Sequence, residues 1–225
     1  MNTTCSCGRH LCTSRIPLFS NLPMEIHQKL VSKAVHTDRN KSEFLINEEE
    51  VITAIRIIRE GRVKINRYDK DGKEYILDIL SDGDIIGEDL FFESAKSNYN
   101  AICITDVKLC EINRQDLLDL ISKEPAAAWN MIKHLSTKLH QTNNLLEILQ
   151  ENDAEARIAR FLLERSVRLN NTEIGLTIDD VAASISLRKE TVSRKLTELQ
   201  NDNYIKRLGH KRIKIIDPEG LKKLI

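Results

Sequence analysis

Aromatic residues are scarce in this 225-residue chain, at 4%. Its cores must therefore be built from Leu, Ile and Val. An excess of charge of one sign is also missing, because 34 Lys and Arg stand against 34 Asp and Glu. That balance excludes a protein that is basic throughout and leaves only local charged patches. No stretch approaches the roughly 18 consecutive apolar residues of a membrane helix. The opening Met1-Asn-Thr-Thr-Cys-Ser-Cys7 has neither the basic nor the apolar region of a secretory signal. A cytoplasmic protein with no membrane partner is the expectation. Cysteines number only five, and in a reducing cytoplasm they are not there as a disulfide framework. Enzyme signatures are lacking as well: there is no P-loop, no Gly-x-Ser-x-Gly and no zinc-protease helix. His27, His36, His134, His140 and His210 are scattered along the chain. A non-enzymatic role is expected.

What is present falls into blocks. The length suits one or two domains, and 41% hydrophobic with 30% charged residues is ordinary for a soluble globular protein. Residues 1–16 are polar, without a usable period, and hold three of the five cysteines: Cys5, Cys7 and Cys12. Met24, Ile26, Leu30 and Val31 then mark a short amphipathic helix. Between 44 and 114 the pattern changes to short apolar runs such as Phe44-Leu-Ile46, Ala54-Ile-Arg-Ile-Ile58, Tyr75-Ile-Leu-Asp-Ile-Leu80, Ala101-Ile-Cys-Ile104 and Val107-Lys-Leu-Cys-Glu-Ile112. Glu60-Gly61, Asp69-Lys-Asp-Gly72 and Ser81-Asp-Gly83 punctuate them. Many short strands at such spacing predict an antiparallel sandwich or barrel.

From Pro125, a residue suited to a first helical turn, the period becomes helical. Ile132, Leu135, Leu139, Thr142, Leu146 and Leu149 follow one another by alternating steps of three and four, a heptad seam. A helix over 125–152 would run roughly 40 Å, more than one small domain needs. A homodimer seam explains both length and period, and a helix packed on its own domain explains the period alone. Asn152-Asp153 reads as a hinge, with Asp153 capping a helix over 154–169. Thr177-Ile-Asp-Asp180 resembles a capping box, and Val181, Ala182, Ile185, Val192, Leu196 and Leu199 tie a short helix to a longer one over 187–199. This is a helix-turn-helix pattern. A β-hairpin around Leu208-Gly209-His210 adds a wing.

Between Ser184 and Ile216 nine basic residues stand against three acidic ones. Such local positive charge on a helix-turn-helix and wing is what phosphate contact requires. The basic set includes Arg188, Lys189, Arg194, Lys195, Lys211 and Arg212. On the exposed face of the second helix, Glu190, Ser193 and Arg194 are placed to read bases: Arg bonds guanine bidentately, Glu accepts from cytosine and Ser is versatile. Thr191 and Lys195 are placed for phosphates. A solvated charged face on a protein-interaction domain is the plain alternative.

Gly87-Glu-Asp-Leu-Phe-Phe92 in the strand region, the long helix, and Glu190-Thr-Val-Ser-Arg194 in the winged helix together resemble the cyclic-AMP receptor protein/fumarate–nitrate reduction regulator (CRP/FNR) family of bacterial transcription regulators. The resemblance covers nearly the whole chain. It implies an α+β protein: a Cys-rich sensor segment (1–16), an antiparallel β-roll like a cyclic-nucleotide-binding jelly roll (17–124), a dimerisation helix (125–152) and a winged helix-turn-helix DNA-binding domain (153–225). It also implies a homodimer on palindromic double-stranded DNA with TTGAT-like half-sites, and RNA polymerase as a partner. Two positions depart from the family. Cyclic-nucleotide-binding members carry an Arg-Ser-Ala phosphate clamp where this chain reads Tyr99-Asn100-Ala101, and Lys96 comes three residues early. A cyclic phosphate needs a cation there, so cAMP is not expected as effector. Arg188 stands where a Ser or Thr often caps the recognition helix, which leaves Ser186 to support the helix start.

The cysteines resemble those of the FNR branch, in which an N-terminal cluster and one Cys late in the roll bind an oxygen-sensitive [4Fe–4S] cluster. By that resemblance Cys5, Cys7, Cys12 and Cys110 supply four thiolates, although Cys5-Ser-Cys7 is tighter than the branch's Cys-x-x-Cys. Two other chemistries stay open: a thiol–disulfide switch between an N-terminal Cys and Cys110, and zinc held with the help of His10. Cys103 reads as a buried hydrophobe.

Overall fold

The computed structural model describes residues 16–91 and 96–225. The chain divides into two compact units, one ending at Lys138 and one beginning at Leu139. The boundary falls inside a single 26-residue helix, α3 (Pro125–Gln150), because Pro125 opens it and no Gly or Pro interrupts it before Asn152.

Before α3, the first unit opens with α1 (Met24–Lys33). Eight strands follow: β1 (Val35–Arg39), β2 (Phe44–Ile46), β3 (Ala54–Glu60), β4 (Val63–Tyr68), β5 (Glu74–Leu80), β6 (Ile85–Ile86), β7 (Asn100–Cys103) and β8 (Val107–Asn113). They form two four-stranded sheets, β1-β8-β3-β6 and β2-β7-β4-β5, paired antiparallel throughout. The core is aliphatic, as the shortage of aromatics requires, with Ile46, Ile55, Ile57, Val63 and Leu109 fully buried and Phe19 the one aromatic among the largest fully enclosed side chains. The apolar runs of the sequence all become strands. β1 was not expected, because Val35-His-Thr-Asp-Arg39 has no apolar run; it is an edge strand held by its register on β8, from Val35 opposite Glu111 to Arg39 opposite Val107. Helix α2 (Arg114–Lys123) was not expected either, since its buried face is only Leu117 and Leu120, one turn of period. The Asn113 side chain caps it by accepting from the Asp116 amide at 2.9 Å.

The second unit contains α4 (Ala154–Leu169), β9 (Glu173–Ile174), α5 (Ile178–Ser184), α6 (Lys189–Asn201), β10 (Ile205–Arg207), β11 (Ile213–Ile215) and α7 (Pro218–Lys222). Asp153 caps α4 by accepting from the amides of Glu155 and Ala156, both at 2.9 Å. The capping box forms: Thr177 Oγ1 accepts from the Asp180 amide at 3.1 Å, and Asp180 accepts from the Thr177 amide at 2.9 Å. Val181, Ile185, Val192, Leu196 and Leu199 are fully buried and lock α5 against α6. The helix start differs from expectation. Helix α6 begins at Lys189, and its N-cap Arg188 makes no side-chain cap bond. Ser186 does not cap; it takes a left-handed φ of 53° in the turn, where a small residue is best tolerated. The wing hairpin β10–β11 gains a third strand, β9, through the pairing of Ile174 with Ile213.

Candidate nucleic-acid interface

Helix α6 presents one stripe outward. Lys189, Glu190, Ser193, Arg194, Thr197 and Glu198 line a single shallow groove on its surface. Arg188, Lys189, Glu190 and Arg194 are exposed, and Thr191 and Ser193 are half-buried. The spacing explains this, because residues three and four apart share a helix face and Val192, Leu196 and Leu199 take the opposite one. Two of these exposed cations have a carboxylate nearby. Lys189 pairs with Asp179 at 2.8 Å, and Arg194 Nε lies 3.9 Å from Glu198. In the wing, Lys211 is exposed, and Arg212 and Lys214 lie 3.6 and 3.7 Å from Glu173. The Lys189, Arg212 and Lys214 pairs are surface pairs, worth little and open to exchange for phosphate.

Lys195 is placed differently from the phosphate contact expected of it. Its ammonium is turned toward α4, 2.7 Å from Glu155 and 2.6 Å from Glu198, with the side chain 21% exposed. Those two carboxylates hold its pKa above the usual lysine value. Arg157 was missed entirely. Its guanidinium donates to the Glu151 carbonyl at 2.8 Å and to the Ile185 carbonyl at 3.3 Å. It thereby ties the end of α3 to the turn of the helix-turn-helix. Both acceptors are backbone atoms, so no residue pattern could announce the link.

The seam residues of α3 lie open in the single chain. Ile132 is 56% exposed, Leu135 43%, Leu139 63% and Leu146 53%; Thr142 is exposed and Leu149 half-buried. An adjoining face of the first half of α3 buries Ala127 and Met131 in the roll core.

That same face meets the roll at Glu88. Gly87 turns the chain there with φ 97°, and a Cβ on it would lie 2.8 Å from the Ala54 carbonyl oxygen, so only glycine fits. Glu88 Oε1 accepts from Lys138 Nζ at 2.5 Å and lies 3.0 Å from His134 Nε2. Burial opposes its charge, yet the His134 hydrogen bond and the Lys138 ammonium outweigh burial and hold the carboxyl below its ordinary pKa. Beside it, the Tyr99 hydroxyl accepts from the Gly87 amide at 3.2 Å and donates to Asp89. Burial, with the carboxylates of Glu88 and Asp89, pushes the Tyr99 phenol far up, so it is neutral. Lys96 is an exposed residue whose ammonium pairs with Glu49 at 3.2 Å.

Cys5, Cys7 and Cys12 lie outside the described residues. Cys110 is fully buried on β8, cross-strand from His36 and Ile57. Ile16 packs into the core cluster to which Cys110 belongs, and Cys12 precedes it by four residues, at most about 14 Å of chain. Of the four, only Cys110 lies within the described residues, a thiol of the kind that ligates iron–sulfur clusters and zinc. Cys103 is buried, and burial first, then Glu43, raises its thiol to about 11. Among the described residues no group of three or more His, Cys, Asp or Glu stands ready to hold a metal ion. Nor is any described helix long and apolar enough to cross a membrane.

Comparison with known proteins accords with this geometry. The cyclic nucleotide-binding domain family matches residues 39–124 and the Crp-like helix-turn-helix domain family residues 156–224. The chain is 28% identical over 215 residues to the CRP-like cAMP-activated global transcriptional regulator of Mycobacterium tuberculosis, covering 92% of this chain and 96% of that protein. It is 25% identical over 192 residues to the nitrogen fixation regulation protein FixK of Bradyrhizobium diazoefficiens, covering 82% and 79%. The structure of FixK2 from Bradyrhizobium japonicum superposes with a TM-score of 0.76 at 22% identity, covering 85% of this chain and 96% of that one. A roll with a helix-turn-helix behind it defines the class, a DNA-binding transcription regulator rather than an enzyme. Within that class the chain belongs to the CRP/FNR family.

Replacing Glu88 by Gln keeps the shape and removes the charge that His134 and Lys138 hold. The variant should lose about 2 kcal/mol of roll stability at pH 7, measured by urea denaturation. Because the folded carboxyl has a lowered pKa, the advantage of the native protein is present above the carboxylate range and is lost as pH falls. The two stability curves should converge below about pH 4.

Proposed function

We propose that this chain acts as a cytoplasmic homodimer that binds palindromic DNA and responds to oxygen or redox state through Cys5, Cys7, Cys12 and Cys110. The observation that carries the dimer is the apolar heptad stripe left open along α3 of a chain that also bears a recognition helix. A twofold dimer places two α6 helices in successive major grooves, with half-sites about one helical turn apart. Glu190, Ser193 and Arg194 are the base-reading set, on TTGAT-like half-sites with Arg194 on the guanine. Lys189, Thr191, Lys211 and Arg212 serve phosphates, and RNA polymerase is the further partner. Four thiolates are the donor set a [4Fe–4S] cluster uses, and such a cluster would supply oxygen sensitivity. The Mycobacterium relative is cAMP-activated by name. The neutral Tyr99 phenol at the clamp position and the engagement of Glu88 by Lys138 support a different effector here.

Three measurements test this reading. Asp at both Leu139 and Leu146 places charges in the seam, which apolar packing does not compensate; the double variant should sediment as a monomer and lose specific DNA binding. A dimer that binds normally would move the interface elsewhere. Arg194→Ala should cost about 1–3 kcal/mol and flatten preference at one base pair, whereas Lys211→Ala should weaken all duplexes alike and lower the salt slope by about one. Competition across single-base variants separates the two. Protein purified without oxygen should contain iron and sulfide, lose them on exposure to air, and lack them in Cys110→Ser; millimolar cAMP should leave DNA affinity unchanged. Metal-free protein that is active only when reduced would establish the thiol–disulfide switch instead, and stoichiometric zinc the zinc site.

A further inference from the structure

The acidic residues around the recognition helix are not evenly placed. Glu155, near the start of α4, holds Lys195 at 2.7 Å, and Lys195 is held at 2.6 Å by Glu198 Oε2. Glu198 turns its other oxygen, Oε1, toward Arg194 Nε at 3.9 Å. Four side chains therefore run in line from α4 to the outer stripe of α6. Burial falls along that line: Glu155 is 23% and Lys195 21% exposed, Glu198 is 42% exposed, and Arg194 is 69% exposed. The inner end is half-buried and the outer end is exposed.

We propose that Glu198 is a specificity-determining positioning residue, clamped by Lys195 and Glu155, that orients the Arg194 guanidinium for base reading and disfavours contact with phosphates. The inference rests on Arg194 reading a base. A guanidinium presents its donors in a rigid fork. A carboxylate on the Nε side leaves the outer pair of amino groups free, the edge that meets guanine bidentately. A carboxylate free to rotate would impose no such direction. Lys195 removes that freedom by holding one of its oxygens, and Glu155 holds Lys195. Glu198 also lines the groove that DNA would enter, where its charge repels the phosphate backbone of any sequence. Discrimination is a difference between affinities, so weakening non-specific binding and orienting the reading group act in the same direction.

The test uses the full-length protein, its half-site duplex, single-base variants of that duplex, and an unrelated duplex. Glu198→Gln preserves shape and removes charge. Discrimination at the base pair read by Arg194 should fall about twofold to threefold, the size of an exposed helical pair, while binding to the unrelated duplex tightens. Lys195→Met frees the carboxylate without removing it. Discrimination should fall by a similar factor, but binding to the unrelated duplex should not tighten. The thermal midpoint of Glu198→Gln should stay at the native value, which a merely structural role would not allow. Equal tightening on every sequence, with discrimination intact, would show that Glu198 acts only through its charge and would overturn the proposal. Should Arg194→Ala leave discrimination intact at every base pair, the base-reading assignment falls, and the proposal with it. Loss of discrimination in Arg194→Ala but not in Glu198→Gln removes the proposal alone.

Discussion

The engagement of Glu88 by Lys138 and His134 of α3 is the constraint around which the first unit is arranged. A buried carboxylate is costly unless it is paired and hydrogen-bonded. Glu88 is paired twice, with Lys138 and His134 one helical turn apart. The pairing requires Gly87 to turn tightly under the Ala54 carbonyl. It also requires α3 to lie with Ala127 and Met131 in the roll core. Once that face of α3 is committed to the roll, the stripe from Ile132 to Leu146 has no place in the same core, and it faces solvent in the single chain. One interaction thus sets which side of the helix is left for a second copy.

The second unit solves a comparable problem with backbone bonds. Helix α6 is short and begins without a side-chain cap, so its orientation depends on what surrounds it. The capping box of α5, the buried Val181–Leu199 contacts and the Arg157 link between the Glu151 and Ile185 carbonyls supply that support. Arg157 joins Glu151, just past the end of α3, to Ile185 in the turn before α6.

In the roll, the position that other family members give to a phosphate clamp is occupied by a phenol. Tyr99 packs against the roll core and spends its hydroxyl on Gly87 and Asp89. The site is built from the protein's own partners, a roll that braces itself through Glu88 and Tyr99. Cys110 sits in the same core, which Ile16 also enters.

Much was legible from residue order, because the forces involved are local or periodic. Seven strands of the roll follow from apolar runs between turns, α3 from a heptad step without a breaker, and α5 from Thr177 and Asp180 at capping distance. Edge strand β1 and helix α2 escaped, since one has no apolar run and the other only a single turn of buried leucines. The outward stripe of α6 was also legible, since helical spacing alone puts Glu190, Ser193 and Arg194 on one face. Sequence by itself therefore determined the type and order of most elements and the local positive charge. Only the tertiary structure decided which charges remain available: Lys195 is tied down by Glu155, forty residues away in the chain, and Glu88 by α3. Charge pairing across such separations depends on packing angles that no local pattern records, and it separates a lysine left on the open surface from one tied between two carboxylates.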